Sequence, residues 1–202
     1  MRTTAFQNIK GGVGKSTTVI NVAAILAEQG RRVLAIDADP QANLTQFFLG
    51  TEAAETVDNT MAQLLDVYAA GRSCDAEDYL HDTAIPGIQI VPSSIDLIDA
   101  DIASVQTGGA IRAVRDLLDA LCEGEEEPPY DNILIDCPPS FTAASVAALY
   151  AADDVVIPVE ADLFSIMGLS TLVKQIGSMR SVQPRIRIAG ALITKQDRKS
   201  VV

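Results

Sequence analysis

The sequence has no tryptophan, and aromatic residues make up only 4% of its 202 positions. Its core must therefore be built from Ala, Ile, Leu and Val, a composition that suits alternating buried strands and helices. Long apolar runs are missing too. No stretch of about eighteen uncharged apolar residues occurs, which excludes a membrane-spanning helix. Met1 leads into a strand-like segment without a charged-then-apolar leader, so no secretory signal is expected. Cysteine is scarce: Cys74, Cys122 and Cys137 are odd in number and lack metal-ligand spacing. That argues for a reduced, cytoplasmic protein and against a disulfide framework. Positive charge is also short, with 15 Lys and Arg against 27 Asp and Glu and a formal net charge of −12. Indiscriminate nucleic-acid binding by the whole surface is thereby disfavoured. The deficit is uneven, however. From Leu163 onward Lys174, Arg180, Arg185, Arg187, Lys195, Arg198 and Lys199 face one acid, Asp197, a local +6. This is either a basic face or a solvated helix side with a charged tail.

What is present is a repeating alternation of apolar runs and helical periods. Strands are expected over 3–9, 32–37, 88–91, 132–136, 154–159 and 186–193. Helices are expected over 15–29, 94–105, 109–122, 142–151 and 166–180, with weaker helical signals near 42–48 and 58–69. The run Glu123-Gly124-Glu125-Glu126-Glu127-Pro128-Pro129 reads as a surface loop. The fold class is α/β, a doubly wound and mostly parallel sheet flanked by helices on both faces. The length suits one domain over 1–202, with no internal repeat or dividing linker.

The first strand runs into Lys10-Gly11-Gly12-Val13-Gly14-Lys15-Ser16-Thr17. The usual phosphate-loop spelling would place a glycine at position 9, which is Ile9, so this is the variant K-G-G-x-G-K-[ST]. Small residues let successive N–H groups turn inward as an anion nest, and the following helix presents its positive end. Lys15 supplies a point charge to the β- and γ-phosphates and Ser16 a hydroxyl to Mg²⁺. Lys10, at the mouth of the loop, is badly placed to serve its own phosphates as Lys15 does.

Mg-nucleotide chemistry also needs carboxylates at strand ends, where ligands sit in open α/β sheets. Asp136 closes Ile133-Leu134-Ile135 and fits an acid holding a Mg²⁺-bound water. Asp37 and Asp39 close the run over 32–37, and one of them would orient the attacking water. Pro138-Pro139 stiffens the segment after Asp136, which could sense the γ-phosphate. Cys137 is expected to be a small buried residue.

Together with Asp37-Ala38-Asp39-Pro40-Gln41-Ala42-Asn43-Leu44-Thr45, Asp136-Cys137-Pro138-Pro139-Ser140, Val156-Ile157-Pro158-Val159-Glu160 and Thr194-Lys195-Gln196-Asp197-Arg198, the loop resembles the ParA/Soj partitioning ATPases. The resemblance implies a Mg-ATP-dependent hydrolase acting as a dimerisation switch, with ATP and Mg²⁺ as cofactors. Its partners would be a second copy of the chain, non-specific DNA and an activating ParB-like protein, with cytoplasmic, nucleoid-associated localisation and no membrane. Lys10 would be the signature lysine reaching the partner's nucleotide, acting as an arginine finger does in trans. Gly11, Gly12, Val13, Gly14, Lys15, Ser16 and Thr17 would bind phosphate. Asp39 would position the water, and Asp136 would hold the metal's water. A side chain at Gly12 would block dimerisation. Family members continue beyond the Thr-x-x-Asp-x-Arg segment through a base-binding loop and a final helix, so the chain is expected to be C-terminally short.

Other classes share the loop. A membrane-associated regulator resembling MinD needs a C-terminal amphipathic helix, for which the sequence has no candidate. An electron-transfer ATPase resembling the nitrogenase iron protein needs two cluster-binding cysteines, and Cys122 and Cys137 lack the expected surroundings. Thr194-Lys195-Gln196-Asp197 also resembles a guanine-reading element, which keeps GTP as an alternative nucleotide. A non-switching nucleotide-binding relic is the non-catalytic alternative.

Overall fold

The runs Val33–Asp37 and Asn132–Asp136 show no polar alternation, the mark of parallel strands covered on both faces. In the computed structural model, which describes residues 1–107, 109–161 and 163–195 (backbone alone for 105–107, 109 and 163–167), these runs are central strands. The strands are β1 (Arg2–Phe6), β2 (Val33–Asp37), β3 (His81–Asp82), β4 (Ile88–Val91), β5 (Asn132–Asp136), β6 (Asp154–Glu160) and β7 (Arg187–Thr194). They form one sheet in the order β3-β4-β2-β5-β1-β6-β7. All pairings are parallel except β3 with β4. The expected doubly wound sheet is therefore observed.

The helices are α1 (Lys15–Glu28), α2 (Asn43–Leu49), α3 (Thr51–Ala54), α4 (Met61–Ala69), α5 (Leu97–Thr107), α6 (Ala113–Ala120), α7 (Ala143–Ala151) and α8 (Leu163–Met179). Strand residues alternate between two cores. Val33, Ala35 and Leu134 face α1 and α2 through Val19, Ala23 and Leu44. Leu34, Ile36, Ile133 and Ile135 face α4, α6 and α7 through Leu64, Leu117 and Ala147. Fully buried side chains such as Leu34 and Ile36 each contribute roughly 1.5–3 kcal/mol by leaving water.

The differences from the expected elements have local causes. β1 ends at Phe6 rather than residue 9. The Asn8 side chain donates to Pro158 O at 2.6 Å and accepts from Lys10 N–H at 3.0 Å, which turns the chain out of the strand. β3 is two residues long and antiparallel, too short to leave a periodic signal. The stretch expected as a helix over 109–122 opens with a 3₁₀ turn at Gly109–Arg112. The predicted positions Gln196, Asp197, Arg198 and Lys199 lie outside the described residues.

Candidate nucleotide site

β1 lies between β5 and β6, so the loop leaving it is flanked on one side by the end of β5 and on the other by the end of β6. The loop itself needs glycine at two points. Gly12 and Gly14 hold φ of +73° and +85°, the left-handed region where a Cβ is strained. Gly14 is the residue immediately before α1, and the Thr18 hydroxyl donates to its carbonyl at 2.7 Å. Val13 is buried and anchors the crest, whereas Gly11, Gly12 and Thr17 are exposed. Lys15 is 7% exposed. No acid occupies the first turn of α1, so the positive helix end is left to an anionic ligand.

The acids gather on the β5 flank. Asp136 is in register with Phe6 on one side and Asp37 on the other. Both acids are fully buried, and Asp39 is 7% exposed. Burial first, then the neighbouring Asp37 charge, pushes the Asp136 carboxyl up to about 8; Ser16 and Lys15 pull against that rise. Neither Asp136 oxygen accepts a hydrogen bond of ordinary geometry among the described residues. A buried carboxylate facing a hydroxyl and an ammonium, with lone pairs unused, suits a hard cation that brings its own waters. Among the described residues no three His, Cys, Asp or Glu side chains are arranged to hold a metal by themselves. Mg²⁺ arriving with phosphates fits this donor set better than a protein-only cage.

Asp37 and Asp39, left as alternatives by the sequence, are separated by their partners. Asp37 Oδ2 accepts from the Thr45 N–H at 2.9 Å and the Thr45 hydroxyl at 2.7 Å, and its Oδ1 accepts from Asp39 N–H at 3.2 Å. Burial raises its carboxyl to about 6 against these hydrogen bonds. Thr45 in turn accepts from Ser93 N–H at 2.9 Å, so Asp37 ties the segment after β2 to the end of β4. Among the described residues Asp39 spends only Oδ1, on Gln41 N–H at 3.0 Å, and is the more available carboxylate. Cys137 is buried, and burial raises its thiol. That matches the expected core role and opposes an exposed cluster ligand.

On the β6 flank the site contains Glu160, for which the sequence offers no role, between two lysines. Glu160 Oε2 accepts from Lys10 Nζ at 2.6 Å, and Glu160 Oε1 accepts from Lys195 Nζ at 2.6 Å. Hydrogen bonds from Lys10 and then Lys195 hold the Glu160 carboxyl below its ordinary value. The Thr194 hydroxyl lies 2.8 Å from Val13 O and 3.2 Å from Val159 O, joining the loop crest to β6 and β7. The sequence signals for this cluster are the two family-like runs, one ending in Glu160 and one opening at Thr194-Lys195, and neither shows that these residues meet. The basic stretch is partly consumed: Arg187 pairs with Asp154 at 2.5 Å, while Lys174 and Arg185 are exposed.

The chain matches the AAA domain family over residues 1–188. It is 38% identical over 202 residues to the chromosome partitioning protein ParA of Caulobacter vibrioides, covering 99% of this chain and 72% of that protein. It is 35% identical to the chromosome-partitioning ATPase Soj of Thermus thermophilus, covering 100% of this chain and 72% of that one. Among solved structures it resembles the cobyrinic acid a,c-diamide synthase of Mycobacterium smegmatis with bound ADP and magnesium. There the TM-score is 0.85 at 31% identity, covering 99% of this chain and 77% of the other. The name of that neighbour denotes another activity, so the structural likeness speaks to the nucleotide fold and the sequence relatives to the lineage. By loop, strand-end acids and relatives alike, the chain belongs to the ParA/Soj family of partitioning ATPases.

Proposed function

We propose that this chain is an ATP hydrolase whose nucleotide state switches a homodimer on and off in DNA partitioning. The observation that carries this reading is the division of labour between two lysines. Lys15 is buried at the start of α1 beside Asp136, whereas Lys10 is held at the loop mouth by Glu160 on the other flank. A lysine stationed outside its own cradle suits a nucleotide that a second copy presents.

In this reading the N–H groups of 11–17 and the Lys15 ammonium bind the triphosphate, and Thr17 adds a hydroxyl to a phosphate oxygen. Ser16 and Asp136 would hold Mg²⁺, which would supply positive charge against the phosphates. Asp39 orients the attacking water, its neighbour Asp37 being committed to Thr45. Lys10 approaches the partner's phosphates and offsets the charge that builds as the terminal bond breaks. A ParB-like protein would stimulate the reaction, and DNA would be retained by the ATP dimer. The ADP and magnesium in the Mycobacterium neighbour support the choice of nucleotide and metal, and the partitioning names of the sequence relatives support the cellular role.

Light scattering of the Asp39→Ala variant with and without Mg-ATP tests the switch, because slow turnover preserves the ATP state. A shift from monomer to dimer mass is expected. An unchanged monomer with ATP demonstrably bound would overturn it.

A further inference from the structure

The Glu160 carboxylate accepts two ammonium groups, one on each oxygen, both at 2.6 Å. They come from different places. Lys10 leaves the loop mouth, and Lys195 follows Thr194 at the end of β7, which pairs with Glu160 in register. Glu160 is 22% exposed at its side chain, Lys10 37% and Lys195 59%. Lys195 is thus the more solvated of the two, and its Nζ stands 3.9 Å from where a Cβ on Gly12 would be. The cluster lies over the exposed part of the phosphate loop.

We propose that Glu160 is a positioning residue for Lys10, and that Lys195 is the counter-charge that keeps Glu160 neutralised when Lys10 departs. This rests on the reading in which Lys10 serves a second copy's nucleotide. The physical argument concerns what Lys10 leaves behind. With Lys10 alone on Glu160, its departure would expose a bare carboxylate beside an incoming triphosphate, and like charges repel. With Lys195 already bound to the second oxygen, the carboxylate stays paired throughout. Two lysines on one acid leave the cluster at +1 before the exchange and neutral after it. The surface facing the nucleotide is never net negative. Sharing also divides the attraction of the carboxylate, so each lysine is held less tightly than it would be alone. Asn8, bonded to both Lys10 N–H and Pro158 O, fixes the Lys10 backbone, so the motion required is that of the side chain.

The first test uses nucleotide-free full chain, with the rate of amine acylation at Lys10 read by peptide mass spectrometry. Lys195→Gln, which leaves the carboxylate to pull harder on Lys10, should slow labelling of Lys10 about twofold to threefold. Glu160→Gln should speed it by a similar factor. Labelling indifferent to both changes overturns the proposal. The second test measures kcat and KM for Mg-ATP. Lys195→Gln should lower kcat about fivefold at unchanged KM, Lys195→Arg should restore it, and adding Glu160→Gln to Lys195→Gln should bring kcat back only to the level of Glu160→Gln alone. Strict additivity of the two substitutions, or a raised KM with unchanged kcat, overturns the exchange. Lys10→Ala separates the levels. If it binds ATP yet loses turnover, the in-trans reading stands, and only the Lys195–Glu160 cycle decides the exchange. If it turns over at the parental rate, the function assigned to Lys10 falls, and the exchange with it.

Discussion

The two flanks of β1 handle charge in opposite ways. On the β5 side three acids, Asp37, Asp39 and Asp136, are buried together with one buried lysine, and the carboxyls of Asp37 and Asp136 are raised. On the β6 side one acid is shared by two partly exposed lysines and is lowered. The first arrangement is strained until a cation arrives. The second is satisfied as it stands and must be opened to act. A strained pocket suits capture of a metal-bound anion, and a satisfied clasp suits a residue whose job lies elsewhere.

The sharpest way to break the comparison is to remove the cation of the strained flank. Lys15→Ala should lower ATP affinity by about a hundredfold, the scale for losing one member of a buried charged pair. Fluorescent-nucleotide titration measures it. Equal affinity in the variant would mean that the buried lysine is a structural counter-charge to Asp136 and no phosphate ligand.

That contrast also marks where the sequence was legible. The β5 flank could be read because its chemistry is local: a glycine loop between a strand and a helix, and acids closing apolar runs at Asp37 and Asp136. The β6 flank could not. Glu160 and Thr194 meet through the parallel register of β6 with β7, a tertiary pairing that no period in the chain announces. Thr45 was equally silent. Its bond to Asp37 and its link to Ser93 depend on how the end of β4 lies beside β2. Central strands such as Asn132–Asp136 were bounded correctly, since two covered faces leave an unbroken apolar run. β1 was drawn too long because Asn8 ends it through side-chain bonds to Pro158 and Lys10 rather than through a Gly or Pro.

A smaller effect tests the strain itself. An acid whose folded pKa is raised contributes full stability below its unfolded value of 3.8, and that stability is lost as pH rises through the folded value. The nucleotide-free chain should therefore lose stability between about pH 4 and pH 8, the range set by Asp37 and Asp136. Asp136→Asn removes the larger part of this and should gain about 2 kcal/mol at pH 8, with little gain at pH 4. Urea unfolding at the two pH values measures it. Mg-nucleotide should remove the part of the slope that Asp136 sets in the parent chain and leave the slope of the variant unchanged. A pH-independent gain would assign the effect to packing rather than charge.

The mildest test falls on the satisfied flank, at Thr194. Its hydroxyl is shared between Val13 O and Val159 O, and valine is nearly its isostere without that donor. Thr194→Val leaves both carbonyls without that donor at a cost of about 1 kcal/mol, read as a lower urea midpoint. Because Val13 is the buried crest of the loop, the loss should also loosen the nest, raising the ATP dissociation constant about threefold. Thr194→Ser keeps the donor and should recover most of both. If the valine variant loses stability while nucleotide affinity holds, β7 merely closes the sheet beside β6. If both fall together and serine restores both, the end of β7 is part of the phosphate site, and the quiet flank of β1 shapes the loop as directly as the acids on the other side.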